Sequence, residues 1–183
     1  MMVFQSQIAP ITVAQLQEQA AFPENADKLL ELIDGEIVEK MPGSTRNSTL
    51  AFNMGFFVQT FCQKNNIPCY VSIGDGAYSV NGNVLAPDFA YKQTPMADEY
   101  PDPVSPLWAI EVISPNDKAS EIRKKRLKYL EADILYWEMY PQSRSIDVYA
   151  PGQTMRTIGI DGILDGGAVL PDFKVSAKDL WGK

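Results

Sequence analysis

The spacing of apolar residues predicts a succession of short strands and three helices. Thr12 is a helix cap, followed by a short helix running to about Phe22. "LLELIDGEIVEKM" predicts a hairpin: one strand over Leu29 to Ile33, a turn at Asp34-Gly35, and a second strand over Glu36 to Met41. Ser44 to Asn65 reads as a long helix whose apolar face carries Leu50, Met54, Phe57 and Phe61. Three strand-like pieces follow, "CYVSI", "GAYSV" and "VLAPDFAYK", and then a Pro-rich acidic surface loop, "TPMADEYPDPVSP". The apolar run "LWAIEVISP" predicts a buried strand, followed by a helix from about Asn116 to Ala132 capped by Asn116 or Asp117. "ILYWEMY", "SIDVYAP" and "TMRTIGI" complete the strands before a turn-rich tail. Helices flanking a mixed sheet make the expected class α/β or α+β.

The length of 183 residues suits a single domain over positions 1–183. The start, "MMVFQSQIAPITVAQLQ", lacks the basic and apolar character of a secretory signal, and no apolar segment is long enough to span a bilayer. Two cysteines, Cys62 and Cys69, make neither a disulfide framework nor a zinc site, so a reduced, cytoplasmic protein is expected. The net charge of -7 argues against strong non-specific binding of nucleic acid. The absence of histidine excludes imidazole bases, Ser-His-Asp and Cys-His catalysis and histidine metal clusters. Any metal must rest mainly on oxygen ligands, which suits Mg²⁺, Mn²⁺ or Ca²⁺.

One residue breaks the apolar pattern. Glu111 lies in the middle of "LWAIEVISP", and a buried carboxylate without a partner is costly. Asp88, in "APDFAYK", opens a neighbouring apolar strand. A divalent cation between two such carboxylates removes their repulsion, and metal-assisted hydrolysis uses this arrangement. A nearby lysine then stabilises charge developing on a phosphate. On the helix after Glu111, Ile122, Lys125 and Tyr129 share one face, so Lys125 is expected to point inward. Lys118, seven residues before Lys125, is its rival on that face, whereas Lys124 and Lys128 fall outside.

"ELIDGEIVEKMPGS", "APDFAY", "AIEVISPNDKASEIRKKRLKYLEA" and "YWEMYP" resemble the Uma family of restriction endonucleases, a bacterial branch of the PD-(D/E)XK nuclease superfamily. The resemblance covers roughly Leu29 to Phe173. It implies a restriction-endonuclease-like core, a mixed sheet flanked by helices, with an N-terminal β-hairpin. It implies Asp88 and Glu111 as catalytic carboxylates and metal ligands, with the Val112 carbonyl as a further ligand. The superfamily's lysine normally stands two residues after the second carboxylate, where this chain has Ile113. The family is similar in this departure, and Lys125, with Tyr129 four residues on, matches its displaced lysine. Glu31 and Glu36 match acidic positions of the family's first hairpin. Where many relatives carry a histidine after the "MPGS" region, "TRNS" stands here.

Simpler readings compete with each assignment. Asp after Pro is common in turns, and the second copy, Asp172 in "LPDF", reads as structural. Asp102 in "YPDP" reads as a solvated loop residue. Glu111 and Lys125 alone make a buried ion pair, "RKKRLK" a solvated helix face, and Trp108, Tyr136, Trp137 and Tyr140 core and edge packing. The expected function is a Mg²⁺- or Mn²⁺-dependent endonuclease hydrolysing DNA, assembled as a homodimer that joins two basic helices. The main alternative is a non-catalytic binding or regulatory protein on the same fold. A two-carboxylate glycoside hydrolase stands third, with nothing near Asp88 or Glu111 suggesting a sugar cleft.

Overall fold

The computed structural model describes residues 9–182, so the first eight residues of the N-terminal stretch read above lie outside it. Helix α1 (Val13–Ala20) starts at Thr12, whose hydroxyl accepts from the Gln15 N–H while the Gln15 side chain accepts from the Thr12 N–H. Strands β1 (Leu29–Ile33) and β2 (Glu36–Lys40) pair antiparallel about the Asp34-Gly35 turn. Both turn residues have positive φ, +53° and +77°, as a two-residue hairpin requires. Helix α2 (Thr45–Asn65) is capped by Ser44 and ends on Asn66 in the left-handed region. It buries Leu50, Met54, Val58 and Cys62, while Phe57 and Phe61 are only partly covered. Its buried stripe therefore continues through Val58 and Cys62 rather than through the two phenylalanines.

Strands β3 (Tyr70–Ile73), β4 (Tyr78–Val80), β5 (Asn83–Leu85) and β6 (Phe89–Lys92) follow. The single strand expected over "VLAPDFAYK" is thus two strands in different sheets. Pro87 cannot donate to a ladder, and the chain changes sheets at Ala86-Pro87-Asp88. One sheet has the order β2-β1-β5-β4. The other has six strands, β10-β9-β8-β7-β6-β3, built with β7 (Trp108–Val112), β8 (Leu135–Tyr140), β9 (Ser145–Tyr149) and β10 (Arg156–Ile158). Strands β7 and β8 are parallel and are joined by α3 (Ala119–Glu131), whereas β6 and β7 are antiparallel, so the sheet is mixed.

Three expectations are corrected. Helix α3 begins at Ala119 with Lys118 at its cap position, and no side chain caps it. Asp117 instead accepts the Ser114 N–H at 2.7 Å and closes the turn before the helix. The tail is a β-hairpin, β11 (Ile163–Gly166) with β12 (Leu170–Ser176), followed by α4 (Ala177–Trp181). Its Leu164, Leu170, Phe173 and Leu180 close the main core. Asp102 is buried, not solvated: it accepts from the ammonium of Lys92 at 2.5 Å and from the N–H groups of Ala97 and Val104. Asp172 is exposed with φ +66°, within β12 where its pairing with β11 shifts register, in keeping with a structural role.

The two-residue period of β7 sorts its side chains between two cores. Trp108, Ile110 and Val112 enter the core that includes Leu50, Met54 and Val58 of α2. Ala109 faces the other way, toward Tyr129 and Tyr136. Glu111 shares that second face, where α3 and the smaller sheet meet. Among the described residues, no helix is long and apolar enough to cross a membrane.

Candidate functional site

The antiparallel register of β6 and β7 pairs Phe89 with Ile110, which carries Asp88, one residue earlier, to the level of Glu111. The Val112 N–H donates to Asp88 Oδ2 at 2.7 Å and fixes that carboxylate at the end of the pair. From α3, Lys125 Nζ reaches Glu111 Oε1 at 3.1 Å and Glu31 Oε1 at 2.8 Å. Tyr129, one turn on, donates its hydroxyl to Glu111 Oε1 at 3.3 Å. Glu31 also accepts the Ala86 N–H at 2.8 Å, which ties β1 to the sheet-crossing turn at Pro87. Asp88, Glu111, Lys125, Glu31 and Tyr129 are therefore neighbours, drawn from three elements and one turn.

Lys118 and Glu36 do not join them. Lys118 is three-quarters exposed and pairs with Glu121 at 2.9 Å. Glu36 pairs on the surface with Lys124 at 3.3 Å. Of the two lysines on that helix face, only Lys125 reaches Glu111. Elsewhere in the basic run, Arg126 binds Glu138, and Lys128 binds Asp34 and Glu131.

Two members had no place in the sequence expectation. Lys40, the last residue of β2, lies between the two carboxylates. Its ammonium donates to Asp88 Oδ1 at 2.8 Å and to the Ala86 carbonyl at 2.6 Å, and lies 3.8 Å from Glu111 Oε2. The signal for it is in the hairpin. With the turn at Asp34-Gly35, Leu29 pairs with Lys40 and Glu31 with Val38, so Glu31 and Lys40 share a face. Asn47, in the first turn of α2, donates from Nδ2 to the Val112 carbonyl at 3.2 Å and to Ser114 Oγ at 2.8 Å. It clamps the backbone just past Glu111.

Burial sets the electrostatics. It pushes the Glu111 carboxyl up, Lys125 and Lys40 oppose that push, and Asp88 and Glu31 add to it, leaving the group at about 7. Burial alone would lower Lys125, but Glu111 and Glu31 outweigh it and hold the ammonium above its ordinary value. Lys40 is also raised, because Glu111 and Asp88 together exceed the cost of its burial. Burial drives the Tyr129 hydroxyl well above its usual range, helped by Glu111 and Glu31, so it serves as a donor.

Among the described residues, no three His, Cys, Asp or Glu side chains come together in an arrangement able to hold a metal ion. The donor set here is of another kind, two carboxylates with main-chain carbonyls. Asp88 Oδ1, Glu111 Oε2 and the Ala86 carbonyl all face one cation, the ammonium of Lys40. Hard oxygen donors around a positive charge fit Mg²⁺ or Mn²⁺ in chemistry.

A solved protein with this fold is described as a putative nuclease belonging to DUF820 from Anabaena variabilis ATCC 29413. It superposes with a TM-score of 0.79 at 19% identity, covering 94% of this chain and 98% of the other. No curated protein matches the chain. The model of the family Uma2, described as "Putative restriction endonuclease", matches residues 13–178, from the start of α1 into α4 and across every residue of the charged cluster, and the chain belongs to that family.

Proposed function

We propose that the protein is a divalent-cation-dependent endonuclease that hydrolyses phosphodiester bonds of DNA, with one nuclease domain over the chain. The observation that carries this reading is the meeting of Asp88 and Glu111 at one cation position, with Lys125 held beside Glu111. Asp88 and Glu111 would hold Mg²⁺ or Mn²⁺, with the Val112 carbonyl as a further oxygen donor. When bound, such an ion supplies positive charge to a phosphate oxygen and acidifies water.

The chain's own groups do the rest. Glu31 and Glu111 keep Lys125 charged and fix it on α3, where it orients water or stabilises charge growing on the phosphate. Tyr129 holds Glu111 Oε1 and leaves Oε2 facing the Lys40 ammonium. Asn47 sets the backbone at Val112 and Ser114. We further read the protein as cytoplasmic and as a symmetric homodimer. A chain of net charge -7 whose α3 cations are largely paired offers few phosphate contacts alone, and two copies double them.

The position of Lys40 also supports a second reading, a binding or regulatory protein. There the carboxylates are neutralised from within the chain and need no metal. Cleavage of supercoiled plasmid and single-stranded DNA with Mg²⁺ or Mn²⁺ separates the two. The nuclease reading expects cutting by wild type, and a loss of about 10²-fold or more in Asp88→Ala, Glu111→Gln and Lys125→Ala. Equal cutting by all four proteins would remove the site. No cutting by wild type on either substrate would leave the binding reading.

A further inference from the structure

We infer that Lys40 is a tethered competitor for the cation site: a divalent ion enters only as the Lys40 ammonium leaves. This inference rests on the proposed metal site and adds a control built into β2. The Lys40 ammonium already holds the oxygens that a metal would use. It binds Asp88 Oδ1 and the Ala86 carbonyl and faces Glu111 Oε2, the one Glu111 oxygen that neither Lys125 nor Tyr129 contacts. Two cations sharing these oxygens would repel strongly at such short range in a largely buried site.

The charges point the same way. Glu31, Asp88 and Glu111 carry three negative charges when ionised, and Lys40 and Lys125 carry two positive ones. The two lysines, however, are held differently. Lys125 sits between Glu31 and Glu111 on a helix that Arg126 anchors to Glu138. Lys40 is the last residue of its strand, and the Met41-Pro42-Gly43 loop after it leads to α2. Both side chains reach solvent to a similar small extent, but Lys125 has two carboxylate partners within hydrogen-bond reach, Glu31 at 2.8 Å and Glu111 at 3.1 Å, whereas Lys40 has one, Asp88 at 2.8 Å, with Glu111 at 3.8 Å. Of the two ammonium groups, Lys40 is the one that can yield.

The apparent affinity for the metal is then the intrinsic affinity reduced by the fraction of molecules in which Lys40 has left. By linkage, metal binding must expel Lys40 to the same degree. Both consequences can be measured without DNA, using Mn²⁺ alone as the probe. Paramagnetic titration of wild type, Lys40→Gln and Lys40→Met should show Mn²⁺ binding about tenfold tighter in the two variants, corresponding to a competent fraction of about a tenth in wild type. Asp88→Ala should abolish binding in either background.

The unaltered protein gives the second measurement. Brief treatment with an amine-acylating reagent, read by peptide mass spectrometry, should label Lys40 slowly without metal and several-fold faster with saturating Mn²⁺. Lys118 and Lys124 should be labelled equally in both states. Tight Mn²⁺ binding in wild type with unchanged Lys40 labelling would overturn the competitor role and leave the metal site standing. Binding in the Lys40 variants but not in wild type would support the competitor role in its strongest form. No Mn²⁺ binding by wild type or by either folded variant would overturn both this inference and the metal-dependent reading.

Discussion

Glu111 and Glu138 stand side by side on parallel strands, in register and on the same face of the sheet, and consecutive residues of one helix reach down to them. Arg126 forks onto Glu138, with Nε and Nη2 each at 2.8 Å, and stacks over the Tyr149 ring at 4.8 Å. Tyr140 adds its hydroxyl at 2.7 Å, and Glu138 is fully buried. Both of its oxygens are strongly bonded within the chain. Glu111 receives a lysine instead. Lys125 and Tyr129 meet only Oε1, and Oε2 is left with Lys40 at 3.8 Å. A guanidinium presents a planar fork that matches a carboxylate, whereas an ammonium is a point charge. One pair is thus complete as an anchor, and the other keeps an oxygen that faces only the Lys40 ammonium, which itself binds Asp88.

The largest effect should come from breaking the anchor. In Glu138→Gln, Arg126 loses its counter-ion in a buried place, and about 3 kcal/mol or more of stability should be lost by urea unfolding. The variant that still folds should bind Mn²⁺ as wild type does. Glu111→Gln should do the reverse, abolishing Mn²⁺ binding at a smaller cost in stability. Its two cations keep other partners: Lys125 retains Glu31 at 2.8 Å, and Lys40 retains Asp88 at 2.8 Å. Equal stability losses in the two variants would mean that both carboxylates are anchors.

This difference explains how much of the site was legible in the sequence. A lone Glu in an apolar strand announces a buried charge that must find a partner. Glu111 carries this signal, and Glu138 in "ILYWEMY" carries the same one without a basic partner evident in its own strand. Helical phase predicted that Lys125 points inward and that Lys124 does not. Arg126 reaches Glu138 because β8 lies under α3, a tertiary fact that helical phase alone does not carry. Lys118 fits the same phase but precedes the first helical residue, so the actual helix start at Ala119 leaves it in solvent. Lys40 and Asn47 come from elements far from Glu111 along the chain. Only the crossing of the two sheets at Pro87 brings β2 to Asp88. The hairpin, by contrast, was fixed by local turn chemistry and matches to within one residue.

A smaller, graded effect should appear with pH. The folded-state value of about 7 for Glu111 lies above the ordinary 4.5, so the folded protein keeps a proton that the unfolded chain has released. The stability from this group is full below about 4.5 and is lost as pH rises through about 7. Measured without metal, wild type should lose stability relative to Glu111→Gln across that window, by at most about 1.4 kcal/mol per pH unit. A flat difference between pH 5 and 7.5 would show that Glu111 is as well satisfied by its lysines as Glu138 is by Arg126.

The least effect should come from the lysine that shares the helical phase of Lys125 without its environment. Lys118 is 75% exposed, and its partner Glu121 is 45% exposed. A pair so open to water contributes little, so Lys118→Ala should change stability by no more than about 0.5 kcal/mol. Plasmid cleavage and Mn²⁺ affinity should stay at wild-type levels, whereas Lys125→Ala should lose cleavage and keep measurable Mn²⁺ binding, since Asp88 and Glu111 remain. A tenfold drop in cleavage for Lys118→Ala, with Lys125→Ala unaffected, would transfer the role to the helix cap. The Lys125 contact would then be an anchor like that of Arg126, and the asymmetry between the two carboxylates would carry no chemistry.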